Sequence, residues 1–316
     1  MKISIIGVGH VGSLTAFILA RRGLADEIVL CSRPDKEARR RAGAEALDIN
    51  HAIAFTSHRM TVRAGCLEDT RDSHILIMTA SVPMPSSMKN RMELAQGNVG
   101  LVRQLIPALV DLSPNSIIVN VTNPLDVITY HILKLSGFNW RQVIGTGTLI
   151  DSARFRRRLA DEMDINALDI NSYVIGEHGE TQFATLSHAM TGGSQISKLA
   201  GTWKQARSMV LEAEAEARKV SMTIFYARGY TNYAVSMAVE MIIENIVKNL
   251  CCTLPVSVFI DGFCGERDVC LSVPCVVGKR GIRYRLEPEL DAEEIRRFQE
   301  SAASVREVIR KTSNSD

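Results

Sequence analysis

The chain has 316 residues, of which 46% are hydrophobic and 23% charged, with a formal net charge of +2. That length supports a substantial core and typically divides into two domains. So even a charge balance argues against a nucleic-acid or membrane-surface partner, and no apolar run reaches the roughly 20 residues of a membrane helix. In chain order, apolar runs at 3–6, 27–31, 75–78, 116–120 and 143–144 predict strands. Helical patterns over 11–22, 35–54, 91–112 and 124–136 separate them. The runs lack period-two alternation, as strands buried on both faces do. Alternating strands and helices predict an α/β fold, a doubly wound parallel sheet with helices on both faces.

The second half reads differently. A helix over 149–162 is followed by strand-like pieces at 172–175 and 184–188, then long helical patterns over 203–220 and 232–250. Runs at 253–260, 269–277 and 281–286 look like antiparallel strands, and an amphipathic helix over 292–311 ends the pattern. The expectation is two domains: 1–145, a dinucleotide-binding unit, and 146–316, an α+β unit for substrate. Seven cysteines, without a CxxC and without an export signal, predict free thiols in a reducing cytoplasm. Residues 1–12 carry a lysine and an apolar stretch. Their glycines and the following Arg21-Arg22 make this a first strand and turn rather than a secretory signal.

Gly7-Val-Gly9-His10-Val11-Gly12 follows the first strand and opens a helix. In that context the glycines permit a tight turn and close backbone approach to a pyrophosphate, which would sit at the helix N-terminus. This predicts a Rossmann-type nucleotide site built from Gly7, Gly9, His10, Val11 and Gly12. NAD-preferring sites usually place an acid at the end of the second strand to bond the adenine ribose. Here Ser32 and Arg33 stand there instead, with Arg39, Arg40 and Arg41 on the next helix. A hydroxyl and a guanidinium suit a 2′-phosphate, so the cofactor expectation is NAD(P) with NADP(H) favoured. The competing reading gives the acid's role to Asp35.

The middle of the chain carries the acid–base chemistry. Asp151 and Arg154 are three apart, so a helix places them on one face. His178 lies in the glycine-flanked turn Gly176-Glu-His-Gly179. Proton delivery to a ketone oxygen during hydride transfer suits an imidazole, whose unperturbed pKa is about 6.5. A carboxylate behind the ring fixes its tautomer, and a guanidinium can clamp a substrate carboxylate with two prongs. No motif surrounds the six other histidines, which read as structural or surface groups.

With these motifs in place the chain resembles the lactate/malate dehydrogenase superfamily over nearly its whole length. The resemblance rests on Gly7–Gly12, Asn123-Pro-Leu-Asp126, Gly145-Thr-Gly-Thr148 through Arg156, Gly176 through Thr181, and Arg228-Gly-Tyr-Thr231, in the family's order and spacing. The wording is closer to the L-lactate and L-2-hydroxyisocaproate branch than to malate enzymes. The resemblance implies that His178 is the proton donor in reduction, Asp151 its orienting carboxylate, and Arg154 the substrate clamp. Asn123 would contact both nicotinamide and substrate oxygen, and Thr231 would line the pocket. Arg91 would be the mobile-loop arginine that polarises the carbonyl, because Arg91-Met-Glu-Leu-Ala-Gln-Gly-Asn98 follows the family's wording. It implies no metal, a small 2-oxo or 2-hydroxy acid as partner, and a homodimer or homotetramer.

Departures from the pattern bear on specificity. The loop before Arg91 reads one residue longer than usual, which puts the substrate-discriminating position at Met84 or Pro85. An apolar residue there lacks the cation that would pair with a second carboxylate. Oxaloacetate is therefore disfavoured, while pyruvate and larger apolar 2-oxo acids fit; Lys89 would change this if the loop aligns differently. Arg156 matches one residue of the family's sugar-bisphosphate effector site, but Asn171 stands where that site has histidine, which predicts no strong activation of that kind. Two other readings compete. An NAD- and metal-dependent glycosidase on the same fold would need a cysteine or histidine metal site beside Asn123 or His178. A non-catalytic nucleotide sensor would have lost the proton donor, its carboxylate or the clamp, and all three are present.

Overall fold

The computed structural model describes residues 1–83, 91–199 and 202–313. The first half alternates strictly: β1 (Lys2–Ile6), α1 (His10–Arg21), β2 (Glu27–Cys31), α2 (Lys36–Ile53), β3 (Thr61–Gly65), β4 (Ile75–Met78), α3 (Arg91–Leu112), β5 (Ile117–Asn120), α4 (Leu125–Ser136) and β6 (Val143–Gly145). α5 (Leu149–Met163) leads into the short strands β7 (Ile170–Asn171), β8 (Val174–Ile175), β9 (Phe183–Ala184), β10 (Met190–Thr191) and β11 (Ser194–Gln195). Then come α6 (Ile196–Leu199), α7 (Trp203–Arg228), α8 (Tyr233–Lys248), β12 (Thr253–Asp261), β13 (Arg267–Gly278), β14 (Gly281–Arg285) and α9 (Ala292–Ser313).

The central sheet runs β14-β13-β12-β6-β5-β4-β1-β2-β3. Its six first-half strands are parallel, and the order reverses between β1 and β4. Ligands bind α/β sheets in the crevice at such a switch point, and the glycine turn after β1 opens there. Every residue of β4 and β5 is buried, as are Ile3–Ile6 of β1, which explains their unbroken apolar runs. The sheet core, capped by α1, α3, α4, α8 and α9, forms one large cluster. A smaller one gathers Phe155 and Leu159 of α5 against Val210 and Ala213 of α7.

The expected α/β architecture is present, with three differences in detail. The antiparallel strands β12–β14 do not form a separate sheet; they extend the parallel sheet through the pairing of Ser257 with Gly145. β3 carried no signal, because this edge strand reads Thr-Val-Arg-Ala-Gly and only Val62 is buried. The strand foreseen at 184–188 is only the pair β9, and the hairpin β10–β11 follows it. Helix ends obey their caps. Asp35 accepts a hydrogen bond from the Ala38 N–H and so starts α2. α7 runs past 220 to Arg228 and stops where Gly229 takes a φ of +80°. Among the described residues no helix is long and apolar enough to cross a membrane, and all seven cysteines are free.

Candidate active site

The glycine turn is shaped partly by the chain itself and partly by open space. A Cβ on Gly7, whose φ is +108°, would lie 2.6 Å from the Ala80 nitrogen, and one on Gly12 would lie 2.0 Å from the Gly7 oxygen. These two glycines permit close packing of β1, β4 and α1. A Cβ on Gly9 would meet nothing within 4 Å, so Gly9 borders free space in front of the helix. The amides of His10, Val11 and Gly12 open α1 without a capping side chain, and first-turn amides have no intrahelical acceptor. Unpaired donors, a positive dipole end and an open approach fit a pyrophosphate.

At the end of β2, Ser32 Oγ donates to the Arg33 carbonyl at 3.2 Å, and Arg33 is 74% exposed. Asp35 is already engaged: one oxygen caps α2 and the other lies 3.4 Å from Arg33 Nε. Cys31, just before Ser32, has its thiol pushed up to about 12 by burial and by the acidic groups nearby, so it stays neutral.

α5 and the turn after β8 bring the acid–base groups together. Asp151, buried in the first turn of α5, lies 2.7 Å from His178 Nδ1 through Oδ2. Its other oxygen lies 3.5 Å from Arg154 Nη1, one helical turn on. Burial alone would depress the His178 pKa, but the Asp151 carboxylate outweighs it and raises the ring above its ordinary value. Burial likewise works to raise Asp151, and His178 with Arg154 reverses the sign, so Asp151 stays ionised. Arg154 also donates to Ser221 Oγ on α7. Among the described residues it has no ion-pair partner besides Asp151. Most of its donor fork therefore remains for a second carboxylate.

Three members of the site gave no sequence signal of their own: Asp126, Ser257 and Ser221. Asp126, near the start of α4 and fully buried, accepts the His178 backbone N–H at 2.7 Å and Ser257 Oγ at 2.6 Å. Burial pushes its carboxyl up to about 7, against those two bonds, which favour the ionised form. Asp126 sits inside the motif that pointed to Asn123, but nothing in sequence ties it to His178, 52 residues away, or to Ser257, 131 away. Asn123 is exposed and precedes Pro124 through a cis bond; its carbonyl accepts Asn98 Nδ2 of α3 at 2.6 Å. Asn98 also accepts the Val82 N–H at 2.8 Å, tying α3 to both neighbouring segments. Thr231 is half-buried in the link between α7 and α8. Arg91 is the first residue of α3. Met84 and Pro85 lie outside the described residues.

This geometry has close counterparts. A family model for the lactate/malate dehydrogenase NAD-binding domain matches residues 1–145, and one for the α/β C-terminal domain of the same enzymes matches 148–315. The chain belongs to the lactate/malate dehydrogenase family. It is 33% identical over 309 residues to an L-lactate dehydrogenase of Geobacillus thermodenitrificans, covering 98% of this chain and 96% of the relative. It is 35% identical over 311 residues to L-lactate dehydrogenase 1 of Clostridium acetobutylicum, covering 98% and 97%. Among solved structures, the minor L-lactate dehydrogenase from Enterococcus mundtii in a ligands-bound form superimposes with a TM-score of 0.92 at 27% identity, covering 98% of each chain. A lactate dehydrogenase from a deep-sea metagenome library gives 0.91 at 28% identity, covering 99% of this chain and 98% of that one. As a member of this family the protein is an oxidoreductase acting on a CH–OH group.

Proposed function

We propose that this dehydrogenase interconverts a small apolar 2-oxo acid and its L-2-hydroxy acid, with lactate ahead of larger substrates of the 2-hydroxyisocaproate type. The observation that carries this reading is the buried Asp151 held 2.7 Å from His178 Nδ1, with Arg154 one helical turn away. The nicotinamide, when bound, supplies or accepts the hydride. With Nδ1 committed to Asp151, Nε2 is the nitrogen left to give a proton to the carbonyl oxygen in reduction and to take it back in oxidation. Asp151 stabilises the imidazolium before transfer. Arg154 clamps the substrate carboxylate, Asn123 and Thr231 line the pocket, and Arg91 polarises the carbonyl.

In this reading residues 1–145 hold the dinucleotide on Gly7, Gly9, His10, Val11 and Gly12, and residues 146–316 hold the substrate. An apolar Met84 or Pro85 at the discriminating position disfavours oxaloacetate, whose second carboxylate would lack a cation. Ser32 and the exposed Arg33 favour NADP(H) over NAD(H), since Asp35 is spent on the helix cap and on Arg33. The protein works in the cytoplasm as a homodimer or homotetramer.

The test is a panel of initial rates with pyruvate, 2-oxobutyrate, 2-oxoisocaproate, phenylpyruvate and oxaloacetate, each with NADPH and NADH. The expected result is fast turnover of the apolar acids, with NADPH preferred, and a Ser32→Asp variant whose preference moves towards NADH. Fast oxaloacetate turnover would overturn the substrate assignment. An unchanged cofactor ratio in Ser32→Asp would overturn the cofactor assignment.

A further inference from the structure

The glycine turn is fastened to the link between α7 and α8 by a contact that the reaction as described does not use. The His10 ring stacks on Tyr230 with centroids 3.7 Å apart and planes 7° from parallel. Arg228 lies over Tyr230 and Tyr233 at 4.6 and 4.8 Å, and its Nη2 donates to Asn232 Oδ1 at 3.1 Å. Backbone ties run alongside: Asn232 Nδ2 donates to the His10 carbonyl at 3.5 Å and Ser236 Oγ to the Val11 carbonyl at 3.3 Å. The two segments are 220 residues apart in sequence.

The link is short. Gly229 ends α7 with a φ of +80°, and Asn232 precedes α8, so only Gly229 to Asn232 separate two long helices. A displacement of Tyr230 carries Thr231 with it. At the other end, His10 is the first residue of α1, beside the amides that face the pyrophosphate site. Its ring is therefore carried by that turn.

We propose that the His10–Tyr230 stack is a staple that couples seating of the dinucleotide on the glycine turn to the position of Thr231, making His10 and Tyr230 positioning residues for the 2-oxo acid. The proposal rests on the reading above that Thr231 lines the substrate pocket. The staple needs a flat ring at position 10, not an imidazole as such. His10→Phe therefore keeps it, whereas His10→Ala and Tyr230→Leu break it.

Two measurements on the full-length protein decide the matter. The first is backbone hydrogen exchange of residues 229–232 with and without saturating NADH, and in parallel NADPH. Dinucleotide slows exchange in the wild type and His10→Phe, and leaves it unchanged in His10→Ala and Tyr230→Leu. The second is steady-state kinetics at saturating dinucleotide. Tyr230→Leu raises KM for the 2-oxo acid about tenfold with kcat nearly unchanged, the scale of one aromatic pair, and His10→Ala raises KM by the same factor. His10→Phe restores KM, and the His10→Ala/Tyr230→Leu double variant is no worse than either single one. A wild-type link that does not respond to dinucleotide overturns the staple. So does a His10→Ala variant that weakens only dinucleotide binding, or a His10→Phe variant no better than alanine. Absence of 2-oxo acid turnover in the wild type would fail the functional reading, while the exchange measurement would still decide the coupling.

Discussion

In the proposed reaction His178 and Asp151 set the pH behaviour. Replacing His178 by Gln removes the proposed proton donor and is expected to lower kcat by about 10²–10⁴-fold, with the fold intact by circular dichroism. Asp151→Asn acts through the ring: without the carboxylate, burial prevails and the His178 pKa falls. Reduction needs the protonated ring, so the alkaline limb of its pH–rate profile should move to lower pH. Oxidation needs the neutral ring, so its acid limb should move the same way and its loss at neutral pH should be smaller. A limb that stays in place would show that Asp151 does not control the proton. Asp126 makes a separate prediction. Its carboxyl sits at about 7 in the folded protein, against about 3.9 in an unfolded chain. A raised carboxyl stabilises at low pH and loses that contribution as pH rises through its folded value. The wild type should therefore lose stability relative to Asp126→Asn as pH rises from about 4 to about 7, and run parallel to it above that; parallel urea-denaturation curves throughout would refute this. His178, Asp151 and Arg154 were readable from sequence because a helix turn and a glycine-flanked turn are local patterns. Asp126, Ser257 and Ser221 were not, because each joins the site only through distant pairing: of β12 with β6, of α4 with the His178 turn, or of α7 with α5.

At the scale of elements, a buried carboxylate joins three pieces of the second half. Glu214 of α7 has a side chain only 2% exposed. It binds Arg297 of α9 through both of its oxygens, accepts the Ala184 N–H of β9 at 3.0 Å, and pairs with Arg218 at 3.2 Å. Removing one partner of a buried pair costs more than the pair contributes, because the other charge is left uncompensated. Glu214→Ala should destabilise the protein by about 3 kcal/mol, seen as a lower urea midpoint with an unchanged slope. A loss under about 0.5 kcal/mol would mean that Arg297 escapes to water. The same contrast separates the elements that sequence revealed from those it hid. β1, β4 and β5 are buried on both faces, so their apolar runs announced them. β3 is an edge, and β7 to β11 are pairs of residues whose existence depends on α5, α7 and α9 packing around them. That β12 to β14 prolong the parallel sheet depends on Ser257 meeting Gly145, a contact between residues too far apart for periodicity to report.

At the scale of the whole molecule, α8 leaves an apolar stripe on the surface. Tyr233, Met237 and Met241 recur every fourth residue of α8 and are 65%, 53% and 39% exposed. On α2, Leu47 is 58% exposed, and Phe55 just beyond it is 94% exposed. α1 packs against both helices. The other face of α8 is committed, with Val239, Ile242, Ile243 and Ile246 in the core, so the helix carries apolar side chains on two faces. A second copy of this chain is the partner that the family resemblance implies, and two-fold pairing would set α8 against its own counterpart or against α2. Light scattering at micromolar concentration is then expected to give the mass of a dimer or tetramer. Met237→Lys places a charge in the middle of the stripe, where an unpaired buried cation is strongly unfavourable, and should shift the protein towards monomer while leaving circular dichroism unchanged. A wild type that is monomeric, or a Met237→Lys variant that assembles as the wild type does, would show that this face is not where copies meet.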